Sequence, residues 1–535
     1  MRGIVTVELL FWVAIAKAAT APNIIYILVD DWGYQDVGFR GSDILTPNMN
    51  KLARNGVILK NHYVSSICSP TRASLMTGRY PIRTGYWNGN HRMDTPWGLP
   101  LKETTMAEML SRKGYSTHAV GKWHLGFHTH RHLPVSRGFD TFLGFMAACT
   151  QDHFQHTDGF HKMFDMREQH RNGTGGVQDN VLYGLRGQYS ADIFTNRTIK
   201  LIESHSRSNP LFVYLAYSNV HDPLQAPQEA IEKYAEHLSN TADHKRRVIA
   251  AMISKVDEGV GRIVSGLIQA GLYDNTIIVI SSDNGSPSGH SSNYPLRGEK
   301  RTLYEGGVRS LAFLHSSLLS KTGYVNQQIF HVVDWYRTFQ RLGGEDVDKK
   351  NIKRDDAEGK DVERDDVDEK NVERDDVEGK DVEGKDVKPQ LELDGVDIWD
   401  AISSNKSLSR NEVLLNYGHN DLCHDCPLNK EHPADYGFAV RRGKWKLIED
   451  TRYGHSVFTS HNCSSPVQHI KNPSRIQLYN LRSDPREMVN LAAVNHWIVE
   501  QLRARKAHYH SLTRHLYFHN TRSFNVRNGT VYWWS

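Results

Sequence analysis

The sequence predicts an α/β fold, with a large, doubly wound and mostly parallel sheet and a smaller C-terminal α+β domain. Continuous apolar, β-branched runs over residues 23–29, 211–216 and 276–281 are typical of strands buried on both faces of a parallel sheet. Helical patterns alternate with them, the longest over residues 242–270. Strands that alternate with helices indicate a parallel sheet with helices on both faces.

The chain has 535 residues, which exceeds the size at which a single hydrophobic core stops growing. We therefore expect two domains. Its 65 Lys and Arg residues nearly balance its 61 Asp and Glu residues, and the formal net charge is +4. This balance and the lack of a DNA- or RNA-binding motif argue against a nucleic-acid partner. The predicted organisation is a signal peptide (1–20), a large α/β domain (21–345), a charged insertion (346–390), a connection back to the core (391–435) and a small antiparallel-sheet domain (436–535).

The first twenty residues have the pattern of a secretory signal peptide. Arg2 supplies the positive charge, residues 5–16 form a mainly apolar stretch, and Ala16-Lys17-Ala18 is a small-x-small cleavage site. No stretch approaches the ~20 apolar residues that span a bilayer. We therefore expect an exported protein, lysosomal or secreted, without a transmembrane anchor. Sequons that suit the surface of a glycoprotein lie at Asn172, Asn196, Asn405, Asn462 and Asn528.

Local signals predict the remaining elements in chain order. Thr46-Pro47 begins a short helix that ends before Gly56, and a strand over residues 57–63 follows. Thr105 and Glu108 form a capping box for the next helix. Further elements are a strand over 115–120, a helix over 190–205, two short strands within 438–448, a strand over 476–481 and a helix over 494–508 that packs on this small sheet.

Residues 351–380 form three ten-residue repeats of mixed charge. About one residue in five is Val or Ile, which cannot bury enough surface to offset the entropy of ordering the chain. We expect a disordered surface insertion. An acidic calcium-binding repeat is the alternative, and the interleaved lysines and arginines argue against it.

Polar residues follow the ends of several predicted strands, at the edge where ligands bind in open α/β sheets. Taken singly, each has an ordinary alternative as a loop charge, a turn or a satisfied histidine. Together on one edge they favour a site. These residues are Asp30, Asp31, Lys122, His124, His221, Asp283 and Asn284.

A segment around Cys68 predicts a helix that points its N-terminus at this edge. Ser69 fits the N-cap, Pro70 the first helical position and Gly78 the stop. Cys68 would then lie just outside a helix N-terminus, where free N–H groups favour an anion. A buried or disulfide-bonded cysteine is the ordinary alternative.

Cys68-Ser69-Pro70-Thr71-Arg72, followed by Thr77-Gly78-Arg79, resembles the signature of the sulfatases. The resemblance covers nearly the whole chain apart from the signal peptide and the charged repeats. The sequence motifs are most similar to those of the arylsulfatase B (N-acetylgalactosamine-4-sulfatase) branch. Further similar blocks lie at residues 30–33, 121–126, 137–140, 282–285, 295–300, 305–309 and 442–446.

The resemblance implies that Cys68 is oxidised to formylglycine by a formylglycine-generating enzyme during biosynthesis. One hydroxyl of the hydrated aldehyde would attack sulfur and expel the alcohol, and the second would then collapse to the aldehyde and release sulfate. A serine could not perform this second elimination. One Ca²⁺ is implied beside the nucleophile, a hard cation that suits oxygen ligands. Its implied ligands are Asp30, Asp31, Asp283, Asn284 and the modified residue 68.

The resemblance also assigns roles in the reaction. Lys122 and Lys300 would grip the sulfate oxygens, and Arg72 would hold the nucleophile and the metal carboxylates. His124 would orient the formylglycine hydroxyl, and Lys122 and His124 would share one face if their strand continues. His221 would bond the sulfate or protonate the leaving oxygen, and Asp283 would act as the base.

The implied substrate is a sulfated sugar or an aryl sulfate, with the 4-sulfate of N-acetylgalactosamine in dermatan or chondroitin sulfate suggested by the branch. Two alternatives stay open. One is a metal-dependent phosphohydrolase, since alkaline-phosphatase-like relatives share this sheet edge and the Asp ligands. The other is a non-catalytic protein that binds sulfated glycans.

Five cysteines in an exported chain would leave one unpaired, and conversion of Cys68 would remove that oddity. Cys149, Cys423, Cys426 and Cys463 then remain, with three possible pairings. Asn284-Gly285-Ser286 also fits a sequon. We expect Asn284 to stay bare, because a glycan would destroy a metal ligand.

Overall fold

The computed structural model describes residues 21–88, 90–91, 93, 95–147, 151–171, 176–238, 243–287, 289–344, 391–418, 437–449, 474–514, 525–527 and 530–532. Several predictions lie outside these residues and stay predictions. They are the signal peptide (1–20), the charged insertion (346–390), Cys149, Cys423, Cys426 and Cys463, and the sequons at Asn172, Asn462 and Asn528.

The large sheet has eleven strands among the described residues. They are β1 (Asn23–Val29), β2 (Val57–Tyr63), β3 (Ser116–Lys122), β4 (Thr141–Phe145), β5 (Arg167–Arg171), β6 (Val177–Val181), β7 (Leu211–Tyr217), β8 (Thr276–Ser282), β9 (Arg309–Ser310), β10 (Ala312–Ser316) and β11 (Tyr324–His331).

The strand order is β11-β2-β10-β8-β1-β7-β3-β4-β5-β6, with β9 paired to β2. The central strands β8, β1, β7, β3 and β4 run parallel to one another. In the register, Val29 of β1 lies beside Ser282 of β8 and Tyr217 of β7, so these three strands end together. The predicted mostly parallel sheet is confirmed. β10 runs antiparallel between β8 and β2, a pairing that the sequence analysis did not anticipate.

Helices cover both faces of this sheet. The structure contains α1 (Pro47–Arg54), α2 (Cys68–Thr77), α3 (Pro81–Thr84), α4 (Met106–Ser111), α5 (Ser190–Glu203), α6 (Gln228–His237), α7 (His244–Gln269), α8 (Glu305–Val308), α9 (Asp334–Leu342), α10 (Trp399–Ser403), α11 (His496–Arg503) and α12 (Arg505–Ser511). The capping box at the start of α4 is present in both directions, with Thr105 Oγ1 accepting from the Glu108 N–H and Glu108 Oε2 accepting from the Thr105 N–H.

The alternation of β1 explains why its whole length is apolar. Tyr26 and Leu28 pack in one core with residues of α2, α4 and α9. Ile25 and Ile27 pack in a second core with residues of α1, α5, α6 and α7. Successive side chains of a strand point to opposite faces. A strand that is covered on both faces therefore has no solvent-facing position that favours a polar residue. This two-sided core is the doubly wound architecture that the sequence predicts.

A smaller antiparallel sheet follows, in the order β12 (Glu412–Gly418), β13 (Gly437–Arg442), β14 (Trp445–Glu449) and β15 (Ile476–Asn480). Residues of α11 and α12 pack on it, as expected, although the single helix predicted over 494–508 is two helices. β12 lies within residues 391–435, which the sequence analysis treated as a connection. Pairing with β13 makes it part of the small sheet. A hairpin, β16 (Asn525–Arg527) and β17 (Thr530–Tyr532), completes the described chain.

Within the part of the chain that the structure describes, no helix has both the length and the apolar character needed to cross a membrane.

Candidate active site

Helix α2 aims its first residue at the carboxyl edge of the sheet. The helix begins at Cys68 itself, with Ile67 as N-cap, and ends before Gly78, whose φ of 68° is the left-handed conformation that glycine tolerates best. The expectation that Ser69 caps the helix is wrong. The Ser69 hydroxyl donates instead to the His124 carbonyl (3.0 Å) and accepts from the His91 N–H (3.0 Å), which ties α2 to the loop after β3.

Two pairs of polar residues, Asp30-Asp31 and Asp283-Asn284, meet because β1 and β8 are adjacent and end together. The Asp31 N–H donates to Asp283 Oδ1 (3.2 Å), and Asn284 Nδ2 donates to Asp31 Oδ1 (2.6 Å). Asp31 has a φ of 58°, a conformation that non-glycine residues seldom adopt and that is found preferentially at functional sites. The turn that follows β1 therefore holds the Asp31 carboxylate against the residues that follow β8.

Cys68 lies beside this acidic pair. Its Sγ is 3.3 Å from Asp30 Oδ1, and the side chain is fully buried. One ligand atom from each of Asp30, Asp31, Cys68 and His221 falls in a group whose members all lie within 4.8 Å of one another. Two backbone hydrogen bonds connect Asp30 to the loop that carries His221. The Asp30 N–H donates to the Asn219 carbonyl (2.7 Å), and the Val220 N–H donates to the Asp30 carbonyl (2.6 Å).

The donor atoms at this point fit a hard cation. The buried Asn284 Oδ1 has no hydrogen-bond partner among the described residues, and a buried amide oxygen normally has one. Carboxylate and amide oxygens are ligands that Ca²⁺ prefers. His221 enters the ligand group, whereas the predicted ligand Asp283 is outside it. The Asp283 oxygens accept hydrogen bonds from Arg72 and from the Asp31 N–H. Asp283 stays a predicted ligand.

Three cations neutralise the carboxylates. Arg72 Nη2 and Nε donate to Asp283 Oδ2 (2.7 and 3.2 Å). Lys122 Nζ donates to Asp30 Oδ2 (2.5 Å), and Lys300 Nζ lies 2.7 Å from Asp31 Oδ1. We call the six charged residues the catalytic cluster: Asp30, Asp31, Arg72, Lys122, Asp283 and Lys300.

Burial and these charges perturb the titrating groups of the cluster. Burial alone would raise the pKa of Asp30, but Lys122, His221 and Arg72 hold that pKa well below its usual range. Burial, with the adjacent Asp30 charge, raises the pKa of Asp283 to about 7. Burial and the Asp283 and Asp30 charges raise the pKa of the Cys68 thiol, so the unmodified side chain is a neutral thiol at neutral pH and a poor nucleophile.

The two histidines are both neutral here. Burial, followed by Lys300, lowers the pKa of His221, and burial, followed by Lys122, lowers that of His124 far below its usual value. The expectation that Lys122 and His124 share a strand face is wrong. β3 ends at Lys122, and His124 lies in a left-handed turn with a φ of 60° and with Nε2 2.7 Å from the His91 carbonyl.

Sequence reasoning missed three contacts that support this site. Arg72 Nη1 donates to the Tyr214 hydroxyl (3.3 Å), and His153 Nε2 lies 3.2 Å from the His221 carbonyl. His290 Nε2 lies 2.9 Å from Asp222 Oδ2, next to His221. Tyr214 occupies an apolar strand, where nothing in the sequence distinguishes it from a core residue.

The first residue of a helix, convergent acceptor atoms and two buried lysines therefore meet at one edge of the sheet. The sulfatase family model matches residues 22–345. The chain therefore belongs to the sulfatase family.

Curated relatives agree with this assignment. Arylsulfatase J of Mus musculus is 35% identical over 516 residues, which cover 91% of this chain and 75% of the relative. N-acetylgalactosamine-6-sulfatase of Mus musculus is 30% identical over 346 residues, 62% of this chain and 64% of the relative. Together with the family match they support hydrolysis of a sulfate ester. The closer similarity to the arylsulfatase B branch stays a prediction.

A solved structure, Ps i-CgsB in complex with k-i-k-neocarrahexaose, is similar over 94% of this chain and 96% of its own, with a TM-score of 0.70 and 26% identity. The similarity extends over both sheets, so the fold prediction is confirmed along nearly the whole chain.

Proposed function

We propose that this protein is an exported sulfatase that hydrolyses sulfate esters, with formylglycine at position 68 as the nucleophile and one Ca²⁺ beside it. The observation that carries the proposal is the position of Cys68. It is the first residue of α2, fully buried, 3.3 Å from Asp30 and within one ligand group with Asp31 and His221. A neutral buried thiol has no evident chemistry at this point, whereas an oxygen nucleophile at a helix N-terminus does.

The proposed calcium ligands are Asp30, Asp31, Asn284 and residue 68, with Asp283 as a further ligand. The buried Asn284 Oδ1 atom, which accepts no hydrogen bond from the part of the chain that the structure describes, supports this set. When bound, the ion would supply positive charge that stabilises the ionised nucleophile. Arg72 would keep the Asp283 carboxylate fixed through its two hydrogen bonds and would hold the nucleophile from one turn along the same helix.

Formylglycine would supply two hydroxyls on one carbon, one to attack sulfur and one to expel the sulfate afterwards. In our proposal Asp283 is the base that takes the proton from the attacking hydroxyl. Lys122 and Lys300 bind the sulfate oxygens. Their buried ammonium groups contact Asp30 and Asp31, which places two positive charges beside the proposed nucleophile. His124 orients the hydroxyls of residue 68.

His221 is the proposed contact to the sulfate or the proton donor to the leaving oxygen. Its Nδ1 lies 3.0 Å from the Asp222 carbonyl, which can only accept, so Nδ1 carries a proton and Nε2 faces Asp31 Oδ2 at 3.5 Å. Nε2 can therefore donate only when the ring is cationic. The negative charge of a bound sulfate ester would favour that form.

We further propose a sulfated carbohydrate as the natural substrate, with N-acetylgalactosamine 4-sulfate in glycosaminoglycans as the first candidate and aryl sulfates as substrates in vitro. The carbohydrate complex of the similar solved structure and the sugar sulfatase among the relatives support this class. The protein would act in a lysosome or outside the cell after conversion by a formylglycine-generating enzyme in the secretory pathway.

The test uses full-length protein produced together with a formylglycine-generating enzyme. Release of sulfate from 4-nitrophenyl sulfate and of phosphate from 4-nitrophenyl phosphate is compared for wild type and Cys68→Ala. We expect sulfate release that the substitution abolishes. Preferential phosphate release would establish the phosphohydrolase alternative. Binding of sulfated glycans without release of either ion would establish the non-catalytic one.

A further inference from the structure

A second group of buried charges lies where the small sheet meets the large one. Lys446 of β14 is fully buried, with its Nζ 3.0 Å from Glu305 Oε1 and 2.8 Å from Glu487 Oε1. Arg309 Nη1 lies 3.4 Å from Glu305 Oε2, and Arg441 donates to the Tyr63 hydroxyl, which itself donates to Glu305 Oε2. We call this set the interface cluster: Glu305, Arg309, Arg441, Lys446 and Glu487.

Glu305 is held by both its side chain and its backbone. It is the first residue of α8, and its N–H donates to Glu487 Oε2 (2.6 Å) while its carboxylate accepts from Lys446. Burial alone would raise the pKa of Glu305, but Lys446, followed by Arg309, holds it at about 2. The start of α8 is therefore fixed by a charged contact to the small sheet.

Helix α8 in turn lies directly behind the metal-ligand loop. The Gly285 N–H donates to the Gly307 carbonyl (3.0 Å), and Gly285 follows Asn284. The two backbones approach so closely that a Cβ on Gly285 would be 1.7 Å from the Gly306 carbonyl oxygen. Any displacement of α8 must therefore displace Gly285 and its neighbour Asn284.

The same segment carries Lys300. The Lys300 N–H donates to the Ser286 carbonyl (3.1 Å), and the Gly306 N–H donates to the Arg297 carbonyl (2.6 Å). Arg297 Nη1 reaches the small-sheet region through the Tyr479 hydroxyl (3.0 Å) and the Glu487 carbonyl (2.7 Å). Hydrogen bonds thus link Gly285, Ser286, Lys300 and α8 between the catalytic cluster and the interface cluster.

We propose that Lys446 is a positioning residue for the sulfatase reaction: through Glu305 and α8 it fixes Asn284 and Lys300 relative to Asp31. The inference rests on the proposed function, because it assigns a task to Asn284 and Lys300. Lys446 touches no reacting atom and acts only through the contacts above. Outer contacts of this kind commonly change activity by about 10–100-fold when removed.

Lys446→Met tests the proposal, with Glu449→Gln as the matched control. Both residues are buried in β14, but they lie on opposite faces of the strand: Glu449 contacts Arg503 and Lys506 on α11 and α12, away from the catalytic cluster. Each full-length variant is produced with the modifying enzyme, and kcat for 4-nitrophenyl sulfate is normalised to folded protein with residue 68 converted. Backbone hydrogen exchange is followed over residues 285–307.

We expect Lys446→Met to lower kcat about 10–100-fold and to speed amide exchange at Gly285 and Gly306, with neither change in Glu449→Gln. If Lys446→Met does not fold, Glu305→Gln tests the proposal in its place. This substitution keeps the side-chain shape but removes the charge that Lys446 contacts, and it should lower kcat about tenfold. Unchanged kcat and exchange in the folded variant, or equal losses in Glu449→Gln, would overturn the proposal. An inactive wild type with residue 68 converted would instead overturn the proposed function, while the exchange comparison would still report on the coupling.

Discussion

The catalytic cluster and the interface cluster are both groups of buried charges, but their acceptor atoms are arranged differently. In both clusters each carboxylate lies beside a cation, as Glu305 does beside Lys446 and Asp30 beside Lys122. In the catalytic cluster the ligand atoms of Asp30 and Asp31 converge with those of Cys68 and His221, and no other such group is found in the described part of the chain. Buried ion pairs occur for structural reasons as well as functional ones. Convergence of acceptors beside a nucleophile position is what separates the two clusters.

The largest expected effect comes from Cys68→Ser, which changes the nucleophile and leaves the interface cluster intact. Turnover of 4-nitrophenyl sulfate should fall by at least about 10³-fold. The introduced serine has a single hydroxyl, so any sulfate it accepts cannot be expelled by a second one. Mass spectrometry of the peptide after incubation with substrate should show a retained sulfate group. Sustained turnover by this variant would contradict the proposed cycle.

The stabilisation of the protein by Ca²⁺ should depend on the catalytic cluster and not on the interface cluster. Adding Ca²⁺ to chelator-treated protein at about 100 times its Kd should raise the free energy of unfolding by ~2.7 kcal/mol. Asp31→Asn should lose most of this increase, as measured by denaturant unfolding. Glu487→Gln, in the interface cluster, should change it by less than about 1.4 kcal/mol, which is tenfold in Kd. Equal losses in the two variants would remove the distinction between a metal site and an ion-pair network.

The interface cluster should have its own pH dependence. Burial raises the pKa of Glu487 to about 7, from an ordinary value of 4.5, and the nearby Glu305 charge adds to the shift. The folded protein therefore binds this proton more tightly than the unfolded chain. The resulting stabilisation is complete below pH 4.5 and is lost as the pH rises through about 7. Between pH 4.5 and 7.5 the wild type should lose roughly 3 kcal/mol more than Glu487→Gln in denaturant unfolding. Parallel pH profiles would contradict this assignment.

An exposed ion pair should have the smallest effect. Asp400 lies 3.3 Å from Lys406 and 3.2 Å from Arg341, and all three side chains are partly solvent-exposed. Asp400→Asn should change the free energy of unfolding by less than about 1 kcal/mol and leave kcat unchanged. A larger loss would mean that charge alone, without burial, governs the stability differences between the variants above.

The sequence predicted those parts of the fold whose signals are local. β1, β7 and β8 are mainly apolar because both of their faces are covered. The capping box of α4 depends only on Thr105 and Glu108, which are three residues apart in the sequence. Strands β5 and β6 escaped prediction because their sequences, REQHR and VQDNV, lack an apolar pattern. Their pairing is set by β4 and by a buried ion pair between Arg167 and Asp179.

The residues of the candidate site also fall into those that local sequence signals predicted and those that depend on distant contacts. Asp30, Asp31, Asp283 and Asn284 could be placed together in advance, because they follow strands that end at one edge. The contacts of Tyr214 and His153 could not, since each depends on packing between distant segments. The start of α2 was predicted two residues too late, because Ser69 hydrogen-bonds to the loop after β3 instead of capping its own helix.

The most direct test of the central claim is the mass of the peptide that contains residue 68, isolated from protein made in cells that have the modifying enzyme. We expect a mass that corresponds to an aldehyde in place of the CH₂SH group of cysteine, in most of the protein molecules. An intact thiol in protein that nevertheless hydrolyses 4-nitrophenyl sulfate would contradict the proposed nucleophile.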